Sequence, residues 1–234
     1  VFRKVFGEHA DVLMGLLNDL LALEGDARIT SLEYLPNDQV PKLSGFKLSI
    51  LDVRCRDARG VTFIVEMQVV HVKGYLNRVV YYASRAYAQP LGVGKKYTEL
   101  PKVIAVSVCE FELWPDAQRM ALGLPVVPLV SLWQVTERDS GATEGMDQVR
   151  YLFCELPKLR DRTPVTPAEK WAALFRAAPL LSPADVANAW LSDAQLRALE
   201  LANKASFTPG ELDAYERVRD EIWQGEQREA QAEA

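Results

Sequence analysis

Apolar positions recur at helical spacing from Phe2 to Leu23, where Val5, Val12, Leu13, Leu16, Leu17, Leu20 and Leu21 share one face. The pattern predicts one continuous first helix. A short apolar run from Ile29 to Leu35 leads into a polar, proline-containing loop, Pro36 to Pro41. Two strand patterns follow. Phe46 to Arg56 alternates through Phe46, Leu48 and Ile50, and Val61 to Val70 is dense in Val, Ile and Phe. Asp57-Ala58-Arg59-Gly60 between them predicts a hairpin turn. Leu76, Val79, Val80, Ala83 and Tyr87 return to helical spacing over Lys73 to Ala88, with Gly92 and Gly94 beyond the end. Val103 to Phe111 is almost continuously apolar, as expected of a strand covered on both faces. Val126 to Val135 and Gln148 to Leu156 are shorter strand patterns.

After Pro157 the pattern turns helical. Thr166-Pro167-Ala168-Glu169 reads as a capping box with proline at the first helical position, ahead of Trp171, Leu174 and Phe175. Ser182-Pro183-Ala184-Asp185, Ser192-Asp193-Ala194-Gln195 and Thr208-Pro209-Gly210-Glu211 predict three further helix starts. The last leads through Leu212, Tyr215, Val218 and Ile222, and Gln224 to Ala234 reads as a frayed polar end. The expected architecture is an α/β core over residues 1–160 with an α-helical C-terminal extension over 161–234.

Composition narrows the class. At 234 residues, with 49% hydrophobic and 25% charged positions, the chain reads as an ordinary soluble globular protein. It is long enough to fold without disulfides or a structural metal. Cys55, Cys109 and Cys154 are widely spaced in apolar surroundings, which predicts buried, reduced thiols and a cytoplasmic setting. The longest apolar stretch, Val12 to Leu23, is interrupted by Asn18 and Asp19 and is too short for a membrane span. The sequence opens at Val1 inside a helical pattern, as expected of a piece of a longer chain. The net charge of −5 argues, taken whole, against a simple cationic nucleic-acid binder.

The chemistry concentrates in two neighbouring strands. Asp52 lies in one apolar run and Glu66 in the next. Alternation puts Ile64, Glu66 and Gln68 on one face, and a hairpin brings Asp52 across from them. Two carboxylates held together in an apolar setting repel unless a proton or cation intervenes. A hard divalent ion with oxygen ligands is the usual answer.

Asp52 followed by Glu66-Met67-Gln68 resembles the signature of the PD-(D/E)XK nuclease superfamily, with Gln68 where the signature has lysine. The wider context resembles its Rpn branch of recombination-promoting nucleases, many of whose members carry a transposase label. The matching stretches include Phe2 to Glu8, Leu16-Leu17-Asn18, Ile50 to Val53, Ile64 to Gln68, Arg78 to Tyr82 and Glu155-Leu156-Pro157-Lys158. This resemblance implies a restriction-endonuclease-like core, a mixed central β-sheet flanked by helices. It implies an endonuclease that hydrolyses DNA phosphodiester bonds with Mg²⁺, or Mn²⁺ in its place, in recombination or transposon-like processes. Asp52 and Glu66 are the implied metal ligands, Gln68 stands beside the water, and Glu8 is an accessory acid on the first helix. A neutral amide at 68 orients water but supplies no charge. The alternative is an inactive nucleic-acid-binding or assembly module that keeps the nuclease fold.

Arg78, Tyr82, Arg85 and Gln89 share one helix face and form a candidate substrate-facing stripe, with Tyr81 turned toward the core. His9 and His71 lack zinc spacing, and the Gly92-x-Gly94 and Gly94-Lys95-Lys96 segments match neither dinucleotide nor phosphate-loop motifs. The five tryptophans are expected to anchor packing. Helical-tail self-association is the expected route to any homo-oligomer, and no membrane partner is expected. Charge distribution then revises the opening inference. Glu211 to Ala234 carries eight acids and three bases, whereas Lys42 to Lys102 carries eleven bases and four acids. The acidic sum therefore does not count against a DNA substrate.

Overall fold

The computed structural model describes residues 2–35, 53–90, 96–177 and 191–204. The predicted single first helix is two: α1 (Phe2–Phe6) and α2 (Ala10–Leu20). The break falls at Gly7-Glu8-His9, where the Gly7 amide still donates to the Arg3 carbonyl but the helix goes no further. A β-carbon at Gly7 would collide with that carbonyl oxygen, so glycine permits the tight exit.

A short strand β1 (Leu32–Tyr34) precedes the hairpin of β2 (Val53–Asp57) and β3 (Thr62–Gln68). The expected Phe46 to Arg56 strand lies outside the described residues up to Asp52. The Asp57 side chain builds the turn by accepting the Arg59 and Val61 amides at 3.0 and 2.9 Å, while Gly60 takes φ +82°. Helix α3 (Tyr75–Ala88) crosses from β3 to β4 (Val103–Cys109). A short α4 (Asp116–Ala121), β5 (Val130–Trp133) and β6 (Val149–Glu155) complete the sheet. Its order is β1-β2-β3-β4-β6-β5. The centre, β3-β4-β6, is parallel and the flanking pairs are antiparallel. This is the mixed sheet flanked by helices that the sequence led one to expect.

The centre is covered on both faces, which is why β4 reads as an unbroken apolar run. One face presents Phe63, Val65, Val106, Val108, Leu152 and Cys154 to α1 and α2. The same core takes in α5 (Pro167–Ala177) and α6 (Asp193–Lys204). The other face presents Ile64, Ala105, Cys109 and Phe153 to α3.

Both described C-terminal helices start as predicted. The Glu169 amide donates to Thr166 Oγ1 at 3.2 Å, and Glu169 Oε2 accepts the Thr166 amide at 3.0 Å. Ser192 and Gln195 repeat the exchange ahead of α6. Trp171 is fully buried and donates through Nε1 to Asp19 Oδ2 at 2.8 Å, pinning α5 to α2. The helix starts predicted at Ser182 and Thr208 lie outside the described residues. Cys55, Cys109 and Cys154 are buried and free, as expected. Among the described residues no helix is long and apolar enough to cross a membrane.

Candidate active site

Glu66 sits near the C-terminal end of β3, on the face that α3 covers, and only 6% of its surface is exposed. Parallel pairing sets it beside Ser107 of β4 and sets Gln68 beside Cys109. Alternation puts Glu66 and Gln68 on the same face, as expected. A cavity of about 10 Å³, room for one water, lies between Glu66, Ser107, Ile64, Ala105, Val106, Val79 and Tyr82.

The roof over this face is α3. Its buried stripe is Tyr75, Val79, Tyr82, Ala83 and Ala86, one step round the helix from the predicted one. Tyr82 is buried against the Glu66 cavity, while Tyr81, expected to face the core, is 45% exposed. Leu76 and Val80 are exposed with it. Tyrosine carries more apolar area than its polar label suggests, so Tyr75 and Tyr82 outweigh Leu76 and Val80 in choosing the buried side.

The Cys109 thiol donates to the Tyr75 phenol at 3.8 Å, and Ser107 lies one pleat back from Cys109 on the same strand face. Burial, then the neighbouring Cys109 and Glu66, pushes the Tyr75 phenol well above the usual tyrosine range. Burial likewise pushes the Cys109 thiol up to about 12. Burial thus favours the neutral form of both groups.

Gln68 is engaged at both ends of its amide. Its Oε1 accepts from Arg78 Nη2 at 2.8 Å, and its Nε2 donates to the Val70 carbonyl at 2.8 Å. The Arg78 guanidinium also lies 5.1 Å from the Tyr75 ring centroid. The structure thus brings together Glu66, Gln68, Arg78 and Tyr82. Arg85 is further along the helix, with its guanidinium donating to the exposed Tyr81 hydroxyl at 3.3 Å.

Two expected residues are not among those brought together here. Asp52 lies outside the described residues. Glu8 is exposed in the turn between α1 and α2 rather than on a helix, because the chain breaks at Gly7. Its charge helps push up the phenol of Tyr34, mainly raised by burial, on the opposite side of the sheet from α3. His71 is exposed and rests edge-on against Phe111 at 5.0 Å.

The cavity-lining residues with side-chain oxygens are Glu66, Ser107 and Tyr82, and Gln68 lies two residues along the strand from Glu66. In kind these oxygens suit a hard divalent cation. Among the described residues no three His, Cys, Asp or Glu side chains converge on one point.

Sequence reasoning passed over Ser107 and Tyr75, whose only signal is their place opposite Glu66 in the fold. It also gave no role to Glu155 and Lys158. Buried Glu155 accepts the Leu113 and Trp114 amides at 2.6 and 3.1 Å and pairs with Lys158 at 2.9 Å. This bracket holds the loop that follows β4.

A family model for PD-(D/E)XK nuclease family transposases matches residues 1–227. Among curated proteins and among solved structures, nothing matches significantly. The match spans nearly the whole chain, and the mixed sheet with its flanking helices is the restriction-endonuclease-like arrangement. The chain belongs to the PD-(D/E)XK nuclease family transposases, and its function is of the nuclease type.

Proposed function

We propose that this protein is a DNA endonuclease that uses Mg²⁺, or Mn²⁺, to hydrolyse phosphodiester bonds in recombination or transposon-like processes. The observation that carries the reading is Glu66: a buried carboxylate near the end of a central strand, beside a water-sized cavity and two residues from Gln68, which accepts from Arg78.

Asp52 and Glu66 hold the ion in this reading. Val53, the neighbour of Asp52, pairs with Val65, the neighbour of Glu66, which favours the two acids as partners. A bound divalent cation supplies charge neutralisation at the phosphate and a more acidic water. The chain's own residues do the rest. Arg78 faces the phosphate, Gln68 fixes the geometry at the strand end, and Tyr82 packs the wall around Glu66. Arg85 extends the substrate stripe and Glu8 acts as the accessory acid. Any homo-oligomer forms through the helical tail.

Plasmid nicking with Mg²⁺ and with Mn²⁺ tests the reading, with parent, Glu66→Ala and Asp52→Asn compared. Cleavage by the parent, lost in both variants, is the expected result. Cleavage that survives Glu66→Ala refutes the site. DNA binding without cleavage under either ion supports the inactive binding module instead.

A further inference from the structure

We infer that Arg78 is the group that stabilises the charge developing on the scissile phosphate, and that Gln68 is the positioning residue that locks it there. The inference rests on the nuclease reading above and assigns one task within it.

The geometry starts with the Gln68 amide. Both its ends are committed within the protein, the oxygen to Arg78 Nη2 and the nitrogen to the Val70 carbonyl, each at 2.8 Å. An amide held this way is a poor holder of attacking water but a rigid anchor for a guanidinium. Arg78 is fixed on a second side by the Tyr75 ring, which lies beneath it at 5.1 Å. Tyr75 is itself almost fully buried, packed edge-on against Phe111 at 5.8 Å with its phenol accepting from the Cys109 thiol, so its ring is held in place. A long arginine side chain is therefore held by two contacts next to the strand that carries Glu66. Preorganised charge of this kind acts on a transition state without reorganising when the charge appears.

Gln68 is two residues beyond Glu66 on one strand face, so the cation that Gln68 holds lies on the same side of the sheet as the carboxylate. Arg78 carries a planar guanidinium, whose fork of N–H donors suits phosphate oxygens. In hydrolysis a bond forms from the water oxygen to phosphorus, and the bond from phosphorus to the leaving sugar oxygen breaks. The water loses a proton to solvent and the leaving oxygen gains one. Negative charge builds on the non-bridging oxygens, which is where a guanidinium fixed by Gln68 meets it.

The test is charge relocation. Single-turnover nicking with Mg²⁺, titrated with DNA, gives the maximal rate and the half-saturating DNA concentration for parent, Arg78→Met, Arg78→Lys, Gln68→Lys and the Gln68→Lys/Arg78→Met double variant. Arg78→Met is expected to lose about 100-fold in maximal rate, with half-saturation within about threefold of the parent. The double variant, with its cation moved onto the strand, is expected to recover about tenfold or more of that loss. Arg78→Lys should fall between parent and Arg78→Met. A local packing defect at Arg78 is not repaired by a lysine at 68, so rescue separates the charge from the fold. Arg78→Met at the parent's rate, a loss confined to half-saturation, or no rescue by Gln68→Lys each overturns the assignment while leaving the nuclease intact. A parent that cuts no DNA with Mg²⁺ or Mn²⁺ overturns the nuclease reading and this assignment together.

Discussion

The Lys158 ammonium lies 2.9 Å from a Glu155 carboxylate oxygen, and both side chains are buried. Lys158 also donates to the Val127 carbonyl at 2.8 Å, so the pair ties together the loop after β4, the end of β6 and the approach to β5. Removing one member of a buried pair strands the other. Glu155→Ala is expected to destabilise the protein by about 3–5 kcal/mol, because it leaves two loop amides without their acceptor and the buried ammonium with only the Val127 carbonyl and the more distant Asp116 carboxylate. Urea unfolding measures it, and a loss below about 1 kcal/mol contradicts the bracket.

Gly15 is the contact point between α2 and α6. A β-carbon there overlaps the Ala194 β-carbon, leaving no room for any side chain. Gly15→Ala is expected to cost about 1–3 kcal/mol despite the better helix propensity of alanine. Adding Ala194→Gly should return part of the loss, which thermal melts of the single and double variants will show. Equal destabilisation in both would place the cost elsewhere.

Tyr81 and Tyr82 are adjacent and opposite in fate. Tyr82→Ala opens a void against Glu66, and by analogy with other large aromatic truncations it is expected to cost about 3–5 kcal/mol. Tyr81→Ala removes an exposed ring and should stay within about 0.5 kcal/mol. Denaturant midpoints for the two variants would have to exchange places for α3 to be turned as the sequence led one to expect.

The buried thiols make stability fall at alkaline pH. Burial pushes Cys55 and Cys109 up from 9.0 to about 12, and raises Cys154 as well. Above pH 9 the unfolded chain loses these protons while the folded chain keeps them, so the stabilisation is complete below 9 and fades as pH climbs toward 12. Each thiol contributes a slope of about 1.4 kcal/mol per pH unit in that window. Thermal melts between pH 8 and 10.5 should show a falling Tm, and native protein at pH 8 should not react with a thiol reagent. A flat profile or rapid labelling would refute the burial.

The strands were legible because their signal is local. β4 is buried on both faces and reads as apolar throughout, and the Asp57 turn and both capping boxes are short-range hydrogen-bond devices. The break at Gly7 was not, since helical periodicity continues across it. The face of α3 was misjudged because Leu76 and Val80 look more apolar than Tyr75 and Tyr82.

The site was legible in part. Glu66 and Gln68 follow from alternation alone. That Arg78 reaches Gln68 depends on where the six residues between β3 and α3 set the helix down, which periodicity does not specify. Ser107 and Glu155 depend on pairing across distant segments, and the amides that Glu155 accepts are 41 and 42 positions away.

Separation along the chain has a further consequence for the order of assembly. The Gln68–Arg78 contact closes a loop of ten positions within a single strand-helix-strand unit, whereas the Asp19–Trp171 contact spans 152. On a ribosome the first can form while most of α5 and all of α6 are still unmade. The second must wait for them. A nascent chain therefore carries the acid-bearing strand and its arginine helix before the helical layer on the far face is complete, and damage to Trp171 or Gly15 should loosen that layer while the local site geometry still forms.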